Sequence, residues 1–272
     1  MAQANALTRL RQLLMIFILF CVALGTYLTR SRSTDWDQPL WVAIYPINGD
    51  GSEQTDVYID TLSRKSFTSI EEFMATEATR YSVDIALPVR IDVGVPIKSL
   101  PPLPEVNANL LSVALWSLQI RWWAWRVTSD QPGPRPDIKL FLVYHDPDTH
   151  PELAHSLGLQ KGMLGICNVF SSRVMAGSNK VVVTHEMLHT LGASDKYAGL
   201  DSLPVFPIGY AEPDRDPLYP QRYAEIMGGR VPLSANEAKI PTALRNVRIG
   251  GATALEINWA ENLETQIASS NL

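Results

Sequence analysis

At 272 residues the chain is long enough for one large domain or two small ones, and 46% hydrophobic with 19% charged residues describes a globular protein with a sizeable core. The formal net charge is −5, and the first thirty residues hold Arg9, Arg11 and Arg30 and no acid, so 20 basic residues face 28 acidic ones elsewhere, which argues against a nucleic-acid partner. The only two cysteines are Cys21 and Cys167, so no disulfide can form within a domain that starts after residue 30, and Cys167 reads as a small buried hydrophobe.

Leu13–Leu28 is the one uninterrupted apolar run, 16 residues long where a bilayer span needs about 20. Arg11 and Arg30 can snorkel from its ends and extend its reach. It reads as an uncleaved single-pass anchor, because hydrophobicity continues through Tyr27 and Leu28 past the small-x-small site at Ala23-Leu24-Gly25. The competing reading is a cleaved signal peptide that leaves a secreted protein. Arg9 and Arg11 before the run nearly balance Arg30 and Arg32 after it, so charge orients it only weakly. Either reading sends the main domain out of the cytoplasm.

Residues 31–39 form a polar linker. Trp41–Ile47 reads as a first strand bounded by the turn Asn48-Gly49-Asp50-Gly51. Residues 57–80 carry helical periodicity, with Ser69-Ile70-Glu71-Glu72 as a capping box before Phe73 and Met74. Val89–Val95 alternates like a strand, and Leu100–Pro104 is a proline-rich connection. Asn107–Val127 predicts a long helix whose Trp116, Trp122, Trp123 and Trp125 are expected in the core. Ile138–Tyr144 is a further strand, followed by a loop rich in His and Pro. Met163–Phe170 and Arg173–Ala176 read as a short hairpin. A helix follows, with Ser178-Asn179 as its start signal. After Gly192 the chain becomes irregular, although Ser234-Ala235-Asn236-Glu237 offers another capping box before Pro241.

That last helix carries His185-Glu186-Met187-Leu188-His189 within the run HEMLHTLGASDKY. Residues four apart lie about 40° from each other around a helix axis, so both imidazoles can reach one zinc ion, while Glu186 points about 100° away and can hold a water on it. Gly192 stops the helix, since glycine adopts the left-handed terminating conformation cheaply. The turn brings Asp195 back toward the metal as a third ligand. The competing use of Ser194-Asp195 is to cap a short helix through Tyr197, in which case His145, His150 or His155 supplies the third ligand.

HEMLHTLGASDKY resembles the extended motif of the metzincin zinc endopeptidases, H-E-x-x-H-x-x-G-x-x-H, and its final aspartate is similar to the variant of the snapalysin family. Ala224-Glu225-Ile226-Met227-Gly228-Gly229 resembles the methionine turn of that clan, and Pro232–Glu237 the start of the helix that closes it. The resemblance implies that His185, His189 and Asp195 bind Zn2+, that Glu186 is the general base, and that Met227 supports the site without touching substrate. Many clan members carry a tyrosine two residues after the turn methionine. Here that residue is Gly229, which leaves Tyr197, Tyr210 or Tyr223 as substitutes.

The implied fold is a metzincin-like three-layer α/β domain with a mixed twisted sheet, a long zinc-binding helix and an irregular lower subdomain. Residues 1–30 would be the anchor or signal segment, 31–39 the linker, 40–192 the upper subdomain and 193–272 the lower one. The metal would sit at the floor of the cleft between them. The expected activity is zinc-dependent endopeptidase chemistry on a peptide held extended along an edge strand around residues 164–176. The alternative is a catalytically weak or inactive binding protein of the cell envelope on a metallopeptidase fold. An intramembrane protease fits badly, because the segment around His185 is short and polar at its ends.

Overall fold

The computed structural model describes residues 34–104, 109–160, 162–199 and 201–260, together with Ile16 and Phe17. The apolar run Leu13–Leu28 therefore lies outside the described residues except for those two. Among the described residues no helix is long and apolar enough to cross a membrane.

The centre is a five-stranded sheet of β1 (Leu40–Asn48), β2 (Val89–Val93), β3 (Ile138–His145), β4 (Leu157–Leu159) and β5 (Leu164–Phe170), in the order β2-β1-β3-β5-β4. β2, β1, β3 and β5 run parallel, and only the edge strand β4 is antiparallel to its neighbour. β1 and β3 are almost wholly apolar because both their faces are buried. Val42, Ile44, Leu140 and Leu142 face one layer, formed by α1 (Glu53–Asp60), α2 (Thr68–Arg80) and α4 (Ala176–Leu191). Tyr45, Ile47, Phe141 and Val143 face the other, formed by α3 (Leu110–Thr128) through Ile120, Trp123 and Ala124. The chain is thus a three-layer α/β domain with a mostly parallel sheet.

Several local expectations are corrected. The periodic stretch 57–80 is two helices separated by a 3-10 turn, Arg64–Phe67, and the reciprocal capping box is Ser63 with Ser66 rather than Ser69 with Glu72. Glu71 turns inward instead, and its carboxylate accepts from the Ile91 N–H of β2 at 2.7 Å. The antiparallel partner of β5 is β4, which precedes it, and Arg173–Ala176 is the turn that opens α4. Asn179 does not start α4. Its amide closes on the last residue of β5, accepting from Phe170 N at 3.1 Å and donating to Phe170 O at 2.7 Å. On α3 only Trp116 and Trp123 turn inward, whereas Trp122 and Trp125 are 55% and 63% exposed. A single sheet face can cover one stripe of a helix, and residues 116 and 123 share a stripe that 122 and 125 do not.

Past Gly192 the elements are short. Tyr197–Ala198 pairs with Leu203–Pro204, and Ala224–Glu225 pairs with Val247–Arg248. The region expected to begin a closing helix is a hairpin, Val231–Ser234 with Glu237–Lys239, because Val231 and Pro232 are drawn into buried positions while the residues between the strands stay exposed. The chain's last described helix is α5, Gly251–Glu256.

Buried polar groups hold this part together. The fully buried Glu225 carboxylate accepts from Gly228 N at 2.7 Å, Gly250 N at 3.0 Å and Thr253 Oγ1 at 2.7 Å. Burial pushes its pKa up, against those three donors. Lys196 is 2% exposed, and its ammonium donates to Ser194 O at 2.9 Å and Glu256 Oε2 at 2.6 Å. Glu77 of α2 accepts from Ile249 N at 2.8 Å, which ties the helical layer to the C-terminal segment. Replacing Glu225 by alanine strands the buried Gly250 N–H and Thr253 hydroxyl, each costing about 1–3 kcal/mol, while Gly228 N keeps its bond to the residue 225 carbonyl. Glu225→Ala is expected to lose at least about 2 kcal/mol in urea unfolding, and a loss below about 1 kcal/mol would show that the turn is held by other means.

Candidate metal centre

α4 buries Val181, Val183, Met187, Leu188 and Leu191 in the core, and His185 and His189 lie one turn apart on another face. The helix ends at Gly192, whose φ of 105° is left-handed, with Gly192 N bonded to His189 O and Ala193 N to Leu188 O, each at 3.1 Å. The reversal returns the chain at once. Asp195 Oδ1 stands 3.1 Å from His185 Nε2 and 3.2 Å from His189 Nε2, and the two Nε2 atoms are 3.0 Å apart. The three residues singled out by the sequence are therefore brought together. The capping alternative for Asp195 fails, because no helix runs through Asp195–Tyr197, where a short strand begins, and Ser194 instead bonds Glu256 through its N–H and hydroxyl.

The outer nitrogens fix the inner ones. His185 Nδ1 lies 2.9 Å from the Ile226 carbonyl and His189 Nδ1 lies 2.7 Å from the Ala193 carbonyl. A carbonyl only accepts, so each Nδ1 carries the proton and each neutral imidazole turns an Nε2 lone pair inward. Two lone pairs and a carboxylate oxygen within 3.2 Å repel unless positive charge lies among them. A tetrahedral zinc with ligands about 2.0–2.1 Å away sets its ligand atoms about 3.3 Å apart, close to the spacing found. The electrostatics agree. Burial would raise the Asp195 pKa, but the two imidazoles outweigh it and hold that carboxyl well below the usual carboxylate range. Burial would lower the His189 pKa, but Asp195 and the Ala193 carbonyl raise it.

Glu186 is buried on the side of α4 that faces β4 and β5. Its Oε2 is buried without a hydrogen-bond partner. Burial raises its pKa above the ordinary value, while His185, His189 and the Gly158 N–H pull it down. Gly158, at the centre of β4, is what lets the edge strand lie on the motif. A Cβ there would come within 2.4 Å of His189 Cβ and 2.5 Å of Glu186 O. Sequence reasoning missed this residue, since the contact belongs to tertiary packing. It also placed the substrate edge at residues 164–176, but β5 is interior and β4 is the outermost strand.

The turn Ala224–Gly229 lies under the site. Met227 is fully buried, its carbonyl accepts from Lys196 N at 2.9 Å, and the Ile226 carbonyl orients His185. Gly229 has φ 71°, a left-handed conformation that a tyrosine would adopt only with strain. Of the three candidate tyrosines, Tyr197 is the one at the site, its ring 6.4 Å from that of His185. Burial first, then the charge of and hydrogen bond to Asp195, push its pKa up to about 12. Tyr210 is bonded to Tyr219 at 2.7 Å, and Tyr223 lies under the Arg248 guanidinium. His145 and His150 form a separate group with Asp50, and the His155 carbonyl accepts from Asn168.

Two cavities lie in other parts of the domain. One of about 290 Å3 lies between Tyr58, Phe67, Tyr144 and Lys180, and another of about 530 Å3 between Phe73, Glu77, Gly177 and Arg245. Neither reaches His185, His189 or Asp195, and the half-exposed Asp195 puts the cluster at the surface instead.

No family model and no curated protein matches this chain. Among solved structures, one described as the structure of a chaperone-substrate complex aligns with 85% of this chain and 35% of its own, at 14% identity and a TM-score of 0.38. The chain thus spans about a third of that structure's length, and the likeness is too low to inform fold or function.

Asp195→Ala removes the anionic corner of the cluster. Zinc retention is expected to fall by more than about tenfold, since even outer-shell changes at such sites cost about 10–100-fold. Equilibrium competition with a metal indicator measures it, and unchanged affinity would remove Asp195 from the ligand set.

Proposed function

We propose that this chain is a zinc-dependent endopeptidase of the metzincin kind, with His185, His189 and Asp195 as ligands and Glu186 as general base. The observation that carries the reading is the convergence of two inward lone pairs and a carboxylate oxygen beside the partnerless Glu186 Oε2, under an edge strand. When bound, zinc would polarise the scissile carbonyl and lower the pKa of its water. Glu186, with its pKa raised by burial, takes the proton and delivers it to the leaving amine. The outermost position of β4 supports a substrate that adds to the sheet as a further extended strand. The Ile226 and Ala193 carbonyls hold the imidazoles in one tautomer throughout. The apolar run Leu13–Leu28 would tether this domain to a membrane, facing away from the cytoplasm.

The test is Glu186→Gln, which keeps size but removes the base. This variant is expected to retain zinc and melting temperature and to lose peptidase activity on a quenched peptide library by about 10²-fold or more. Cleavage at the wild-type rate would end the assignment. The alternative, an inactive binding protein on the same fold, is favoured by Gly229 and by the engagement of Tyr197 with Asp195. Zinc-loaded wild-type protein that turns over no peptide in the library would support it.

A further inference from the structure

The sequence offered three histidines outside the motif, and the structure gathers two of them. β1 and β3 are parallel neighbours with Asn48 opposite Tyr144, so their C-terminal ends lie side by side. Asp50 follows the end of β1 and His145 is the last residue of β3. The chain after β3 makes a turn in which His150 N bonds Asp146 O at 2.8 Å, and this carries the His150 ring back to 5.2 Å from that of His145. One ligand atom from each of Asp50, His145 and His150 lies within 4.8 Å of the others.

Each of the three is prepared for a cation. His145 Nδ1 is buried and makes no hydrogen bond, a state that a bound cation would relieve. Burial, then the neighbouring His150, lower the pKa of His145, so the ring stays neutral and keeps a lone pair, while the Asn168 side chain and the Asp50 charge oppose this only in part. Asp50 is ionised and fixed. Burial would raise its pKa, but hydrogen bonds from Asp146, Ser52 and Thr55 bring it to about 2. Ser52 N donates to its Oδ1 at 2.9 Å, and Asp146 N at 2.5 Å and Thr55 Oγ1 at 3.2 Å to its Oδ2, which leaves capacity on Oδ1. His150 is exposed, with Nδ1 3.0 Å from Thr149 Oγ1, so its ring can swing inward to shorten the spacing.

We infer that Asp50, His145 and His150 form a second divalent-metal site of the zinc class, separate from the cluster on α4. Two imidazoles and one carboxylate suit a borderline first-row ion, whereas Ca2+ and Mg2+ take oxygen ligands. The ion would clip the turn after β1 to the loop that delivers β4. That strand is the one whose Gly158 rests on Glu186 and His189, so the ion would order the approach to the α4 cluster.

The experiment is zinc stoichiometry on the full chain after gel filtration, with His150→Ala, His189→Ala and the double variant, each checked for folding by circular dichroism. Two equivalents in the wild type, one in each single variant and none in the double variant are expected. In His189→Ala, added zinc is also expected to slow proteolysis between residues 146 and 156, and in the double variant it should not. One equivalent in the wild type that His150→Ala leaves intact overturns the second site. If His150→Ala loses an equivalent and His189→Ala loses none, the second site stands and the peptidase metal reading falls. Should His150→Ala not fold, Asp50→Asn, which keeps shape and removes the charge, takes its place, and full retention of both ions by that variant also overturns the proposal.

Discussion

The hydrogen bond between His185 Nδ1 and the Ile226 carbonyl, 2.9 Å long, spans 41 residues of sequence and joins α4 to the turn that follows the irregular region. It sets the tautomer of His185, and with it the direction of the lone pair on Nε2. It also requires the turn at Ala224–Gly229 to stand directly beneath α4. That requirement explains the weight of buried polar structure around the turn. Glu225 collects three donors, Met227 O takes Lys196 N, and Ile226 N reaches Arg248 O at 2.9 Å. A turn displaced by an ångström would release the imidazole.

The two halves of the molecule solve the positioning problem differently. Before Gly192 the site rests on apolar packing, where β1, β3, β5 and the helices that share its layer leave α4 little freedom. Among the described residues after Gly192 no element exceeds six residues, and Asp195 is located by what flanks it. Ala193 O is held by His189, Ser194 by Glu256, and Lys196 N by Met227 O. The buried ammonium of Lys196 completes this frame by donating back to Ser194 O and to Glu256. A buried charge is tolerable only when paired and hydrogen-bonded, and here both conditions hold.

Much of this was legible in the sequence. Apolar runs announced β1 and β3, histidines four apart announced the shared face of α4, and Gly192 announced its end. What failed has a common cause. Ser69, Ser178-Asn179 and Ser234–Glu237 carry local capping patterns, but tertiary contacts claimed the same stretches for other work. Glu71 serves Ile91 N, Asn179 serves Phe170, and Val231 with Pro232 is drawn into a buried strand. Capping is worth about 1 kcal/mol, less than burying an apolar strand or satisfying a buried backbone donor. Gly158 was invisible for the same reason, since its role exists only where β4 meets α4.

The arrangement at the motif also constrains how the chain folds. Three acceptor atoms held within 3.2 Å raise the energy of the native state unless a cation or a proton joins them. Asp195 raises the pKa of His189, and the two imidazoles hold the Asp195 carboxyl below the ordinary carboxylate range. A metal bound here would compete with protons for the same atoms, so its affinity would fall with pH. The frame that pins Asp195 is what prevents relief by simple separation, because Ala193, Ser194 and Lys196 are all bonded elsewhere. A cation among the three atoms would remove their mutual repulsion without moving that frame.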